Sequence, residues 1–280
     1  MPWKLYLDSR RRVRGTRGDT DTDFAVQMPY PITVSGKCFV DVCLVPNSFY
    51  TIRADCDRIY LVEDSPTQSL MPRVAFLAHG QYSVYELRDQ IVIALNANKI
   101  ITGQYACTYV TATNRYVISI ANGSLGDSFT IWMEEGLRGV GTSWFAIPLP
   151  GGESKSANRA CGLLDGMSLD GTYIAPVIAP NAPDVQPYKR LFLRSNLGGG
   201  SAESWGVNGE SDIIRRIVVG NTPVNAVIHD VHSNALDCVT INGKPEFTQL
   251  WFQLVDVDGK VVDTHGLPIS FSILFVNIDE

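Results

Sequence analysis

Along most of the chain, apolar and polar residues alternate in short runs, and helical spacing is rare. Alternation of this kind between turn signals points to half-buried β-strands. Residues 3–7 form such a run, ending at Asp8-Ser9, and residues 24–28 form a second. Residues 37–45 alternate around Phe39 and Asp41 and stop at Pro46-Asn47. Runs at 49–53 and 58–62 follow, separated by the turn-like 54–57, and 73–77 adds another. The period then changes. Ser83 and Glu86 form an S-x-x-E capping box, in which each side chain reaches the other residue's backbone N–H. Behind it Leu87, Ile91, Ala94 and Leu95 recur at helical spacing, with Arg88, Asp89 and Gln90 on the opposite side. The spacing predicts one amphipathic helix over 83–96, covering a core.

Strand signals resume at 105–111 and 116–121, a hairpin around Thr113-Asn114-Arg115, and at 129–132 after an Asn122-Gly123 turn. Residues 136–184 read as a long surface crossing rich in Gly and Pro. Further strands are expected at 189–195, 213–219, 226–231 and 239–241. Residues 250–255 and 260–262 are joined by Asp256-Val257-Asp258-Gly259, a tight turn with Gly where φ must be positive. The run 269–275 would bury Ile269, Phe271 and Ile273 and expose Ser270 and Ser272. Roughly fifteen short strands and one helix give a mainly β sandwich with an α+β embellishment.

Composition changes this picture little. A chain of 280 residues can bury one large core or two modest ones. No apolar run approaches the roughly 20 residues of a membrane-spanning helix, and the first residues lack a secretory signal. Synthesis in a cytosol-like compartment is therefore expected. Cys38, Cys43, Cys56, Cys107, Cys161 and Cys238 contain no C-x-x-C pair and are expected to be reduced thiols. The net charge of −6 argues against a mainly nucleic-acid-binding surface. Locally, however, Lys4, Arg10, Arg11, Arg12, Arg14 and Arg17 crowd the start, followed by Asp19, Asp21 and Asp23. A basic arm can bind phosphates or an acidic partner; the plainer alternative is a solvated segment whose charges partly cancel.

Candidate chemistry fails on spacing. An EF-hand loop beginning at Asp256 would need a glutamate where Leu267 stands. His229 and His232, three apart on a strand-like run, would point to opposite faces. Neither Gly198-Gly199-Gly200 nor Gly139-Val140-Gly141 is followed by the helix that phosphate-binding glycine loops require. Asn122-Gly123-Ser124 matches a glycosylation acceptor, which matters only in a secreted protein. No G-x-S-x-G elbow occurs, and Glu134-Glu135 is undiagnostic. The sequence therefore implies no catalytic residue, cofactor or metal site, and no enzyme. A β-sandwich carbohydrate-active enzyme with acids far apart in sequence remains a rival.

Three groups of phrases carry a resemblance. The first is LYLDSRRRVRGT, DFAVQMPYPI and VDVCLVPNSFYTI; the last is LWFQLVDVDGKVVDTHGLPISFSILF. Between them stand AHGQYSVYELRDQIVIALN and SANRACGLLDG. This succession resembles the single-jelly-roll minor capsid (penton) proteins of double-jelly-roll DNA viruses, such as virophages and polinton-like viruses. The resemblance implies a jelly roll, a homopentamer at fivefold vertices, contacts with the major capsid protein, and no catalysis. It implies a place in the virion, after synthesis in the host cytoplasm or a virus factory. Arg10, Arg11, Arg12, Arg14 and Arg17 would then be an assembly arm that orders on contact, facing an adjacent subunit or the capsid interior, with packaged DNA a minor candidate partner. Residues 123–127 would be outward tips. Within this frame, 67–167 reads as a small α+β module inserted into a jelly roll made from 1–66 and 168–280. The other rival is a viral receptor- or glycan-binding head or tail-fibre protein using Trp132, Trp144 and Trp205, though residues of this kind serve more often as core anchors.

Overall fold

The fold is described from a computed structural model, for residues 3–15, 18–132, 155–163, 172–174, 176–198, 212–220, 222–223, 225–231, 238–241 and 245–276. The first strands are β1 (Trp3–Asp8), β2 (Asp23–Thr33), β3 (Gly36–Pro46), β4 (Arg58–Ser65) and β5 (Gln68–Phe76). Helix α1 (Val84–Asn96) precedes β6 (Gln104–Val110), β7 (Arg115–Ala121), β8 (Ser128–Trp132), β9 (Thr172–Ile174) and β10 (Val177–Ile178). Then come β11 (Arg190–Ser195), β12 (Ile213–Val218), β13 (Val227–Val231), β14 (Val239–Ile241), β15 (Glu246–Val255) and β16 (Ser270–Val276).

The chain divides into two compact units, one from 1–49 with 188–280, the other from 50–187. In the first, one sheet runs β1-β16-β3-β13, with β14 also on β3, and the other runs β12-β11-β15-β2. Leaving the short β14 aside, eight strands pair first with last, second with seventh, third with sixth and fourth with fifth. That nested antiparallel pairing over two sheets is the jelly roll. Alternation supplies its core: Leu7, Cys43, Phe271 and Ile273 from one sheet meet Phe24, Leu193, Phe252 and Leu254 from the other. The rings of Phe252 and Phe271 lie 4.8 Å apart, and Phe24 is 5.8 Å from Phe252. Among the described residues a charged pair enters this core, Arg215 on β12 donating to Asp230 on β13 at 2.6 Å.

The second unit pairs β5-β4-β8-β9 and β10-β7-β6 and sets α1 against them. The capping box forms with both arms, Ser83 N to Glu86 at 2.8 Å and Glu86 N to Ser83 Oγ at 3.3 Å. Leu87, Ile91, Ala94 and Leu95 are the helix residues buried, as their spacing requires. Glu63 on β4 is wholly buried and accepts from Arg73, Tyr105 Oη at 2.7 Å and Ile100 N at 2.9 Å. Arg73 also donates to the carbonyls of Leu95 and Ala97, so a cation closes the helix C-terminus.

Several expectations shift. Residues 49–53 form no strand, only an Ile52–Gly80 bridge, because they carry the chain out of the jelly roll. Residues 260–262 give only a Val255–Val261 bridge beyond the Asp256 turn, where Gly259 has φ +76°. The unit boundaries fall at 49/50 and 187/188, not at 66/67 and 167/168. Strand β4 pairs with β5 and β8, while β9 and β10 pair with β8 and β7. Ser272 is buried, since a register shift between β16 and β3 brings Asp41 to its hydroxyl at 2.5 Å.

Candidate functional site

The arginine segment follows directly from β1. Asp8 caps a 3-10 turn over Ser9–Arg11 by accepting from Arg10 N. Arg10 doubles back onto the same carboxylate, Nε at 2.9 Å and Nη2 at 2.6 Å, which holds Asp8 below the usual carboxylate range. Arg12 reaches Asp19 at 3.1 Å and Asp21 at 2.8 Å. Ser9 is fully buried, donates to Asp21 at 3.0 Å and accepts from Ile269 N at 3.1 Å. Val13 N donates to Ala25 on β2. The arm is therefore folded against β2 and β16 over residues 8–15, and Arg10 and Arg12 are engaged in holding it there. Arg11 and Arg14 are exposed and enter no ion pair among the described residues. Arg17 lies outside the described residues.

Beside the arm, the outer face of β1, β16 and β3 forms a groove of about 510 Å³. Lys4, Tyr6, Asp8 and Arg11 line it from the β1 side, with Val42, Leu44, Ser270 and Ser272 beneath, and Leu7, Phe271 and Val26 of β2 complete the lining at the sheet edge. Lys4 Nζ sits 2.5 Å from Asp41, a hydrogen bond that raises the lysine pKa. Burial pushes the Asp41 carboxyl up, but the bonds from Lys4 and Ser272 outweigh it and hold the group below its ordinary value. The groove was missed in the sequence, although alternation along β1 already set Lys4, Tyr6 and Asp8 on one face.

Other sequence candidates resolve simply. All six cysteines are free, with Cys38, Cys43 and Cys161 buried. Burial pushes the Cys38, Cys43 and Cys107 thiols up to about 12, which makes them poor nucleophiles. His229 is exposed on β13, and no cluster of three or more His, Cys, Asp or Glu is placed to hold a metal among the described residues. Trp132 packs beside Tyr60 and Val62. Trp144, Trp205, His232, Glu134, Glu135 and the glycines at 139, 141, 199 and 200 lie outside the described residues. Leu125, in the 123–127 turn, is fully exposed above Asp127, which accepts from Thr102 Oγ1, Gly103 N and Ser124 N. No helix among the described residues is long and apolar enough to cross a membrane.

Fold and connectivity define a single jelly roll, with a mixed α+β unit between its third and fourth strands. Solved structures with similar folds were found. The crystal structure of the mavirus penton protein matches with a TM-score of 0.53 over 99% of this chain and 100% of that one, at 10% identity. A chain of the 3.5 Å cryo-EM structure of the Sputnik virophage matches with a TM-score of 0.47, covering 99% and 98% at 12% identity. The chain matches no protein-family model and no curated protein. It thus shares the fold of the mavirus penton protein, as the phrase order suggested.

Proposed function

We propose that the chain is a minor capsid subunit, five copies of which close a fivefold vertex of a virion and abut the major capsid protein. The observation that carries this is the end-to-end fold match to the mavirus penton protein. A jelly roll alone serves many unrelated functions. A match that also spans the inserted unit is a more demanding coincidence. A closed ring uses two different flanks of one subunit. The open edges of the jelly roll supply them: β1 and β2 on one side, β12 and β13 on the other. Arg14, exposed beside β2, stands on the first flank as an arm residue open to a neighbour. Synthesis in the host cytoplasm or a virus factory belongs to the same reading.

Native mass spectrometry of the purified chain, alone and with the major capsid protein of the same virus, tests it. The expected species is five times the 30.8 kDa chain. A trimer, or a monomer that never joins a shell, would overturn the proposal. Arg14→Ala should weaken assembly and leave the monomer folded.

A further inference from the structure

We infer that the groove on the outer face of β1, β16 and β3 binds an acidic carbohydrate, a sugar carrying a carboxylate. Register places Tyr6 beside Ser272 and Val42, and Asp8 beside Ser270 and Leu44. Two of the charges there are already satisfied within the chain: Asp41 takes Lys4, and Arg10 takes Asp8. What remains for a ligand is specific. Arg11 is a cation without an ion pair among the described residues, fixed at the end of the 3-10 turn that Ser9 anchors. Tyr6 stands 76% exposed, with Lys4 Nζ 5.2 Å from its ring centroid and its other face left to a ligand, on the same sheet as the half-buried Val42 and Leu44. Ser270 presents a half-buried hydroxyl beside the Asp8 carboxylate.

Each of these answers one part of such a sugar. Its C–H face can lie on the exposed tyrosine ring, an apolar body with a polar tip. Its carboxylate matches the planar fork of an arginine, which binds carboxylates through two parallel hydrogen bonds. Its hydroxyls can donate to Asp8 and exchange bonds with Ser270. The volume of about 510 Å³ falls within the roughly 300–1,000 Å³ of small-ligand sites. A nucleic acid fits less well, because an extended polyanion needs a row of unpaired cations, and the groove offers one.

The test uses the full chain in solution, so its result stands apart from whether five copies assemble. Saturation-transfer NMR and titration would compare 3′-sialyllactose, neutral lactose and a glutamate-rich peptide. The acidic sugar should bind, with lactose weaker by about tenfold, the scale of one lost charge-assisted contact. Arg11→Ala should reduce the acidic sugar to the level of lactose, Tyr6→Ala should abolish binding of both, and Arg14→Ala should change neither. All three side chains are exposed, so thermal melting should be unaltered and any binding loss assigned to the groove. Absence of sialyllactose binding to the wild type, indifference to both Arg11→Ala and Tyr6→Ala, or tighter binding of the peptide would each overturn the inference.

Discussion

The two units solve the same problem, closing a core, with different means. In the jelly roll the two sheets face each other with alternating apolar side chains, and Phe24, Phe252 and Phe271 interlock at its centre. Its charged pair, Arg215 with Asp230, spans two strands and leaves the apolar packing continuous. In the mixed unit a helix must meet a sheet at one end, where helix carbonyls would be left unsatisfied. There Glu63 and Arg73 form a hub that ties β4, β5, β6 and the end of α1 together. Apolar shape closes the first core, and a polar junction completes the second.

That contrast is broken most directly by one substitution in each unit. Glu63→Ala removes a fully buried carboxylate and leaves Arg73 and Tyr105 without it, an expected loss of about 3–5 kcal/mol. Phe252→Ala opens a cavity between two other phenylalanines and should also cost about 3–5 kcal/mol. Hydrogen exchange read peptide by peptide would show each loss confined to its own unit. If Glu63→Ala were nearly neutral, the polar hub would be an ornament of a core already closed by Leu61, Ile91 and Phe129.

How much of this could be read beforehand depends on whether the signal was local. The helix was legible because its cap and its apolar stripe lie within fourteen residues, and both appear as expected. The strand at 270–276 was legible from alternation, yet the burial of Ser272 was not. That burial depends on a register shift opposite β3, over two hundred residues away in sequence. The unit boundary was misplaced because β4 follows the jelly-roll strands in sequence but takes its partners from later strands. Residues 49–53 looked like a strand because Phe49 and Ile52 are buried, though they serve as a crossing. The arginines suggested a free arm. Their acids at 8, 19 and 21 pair with two of them, Arg10 staying exposed and Arg12 becoming half-buried, as the charge-cancelling alternative allowed. The groove was legible only on its β1 side, by alternation, because its other residues come from β3 and β16, far away in sequence.

A smaller effect sharpens the comparison on the side of the mixed unit. Ser83→Ala removes the oxygen that accepts from Glu86 N, and N-cap losses of this type cost about 1 kcal/mol. Exchange should rise first in the opening turn of α1, and the jelly roll should be untouched. Chemical denaturation gives the size, and Ser83→Thr should recover most of it. A loss spread equally over both units would mean that they unfold as one body, and the contrast between their cores would have no separate thermodynamic meaning.

The smallest effect is at low pH, and it bears on both units at once. Asp8, through the Arg10 hydrogen bond, and Asp127, through the Thr102 hydroxyl, are both held below the ordinary carboxylate value of 3.8. A carboxyl lowered by folding stabilises fully above its unfolded pKa, and the contribution is lost as pH falls through the folded value. Melting temperature should therefore be insensitive to these groups from about pH 7 to about pH 5 and decline below about pH 4. Solvent screening keeps the Asp8 contribution under about 1 kcal/mol. Asp8→Asn should flatten part of that acid decline and loosen the Ser9–Arg11 turn, while Asp127→Asn should act only around residues 102–103 and 124. A decline that begins near neutrality and survives both substitutions would place the acid-sensitive contacts elsewhere. The arm and the tip would then be stabilised by backbone geometry more than by charge.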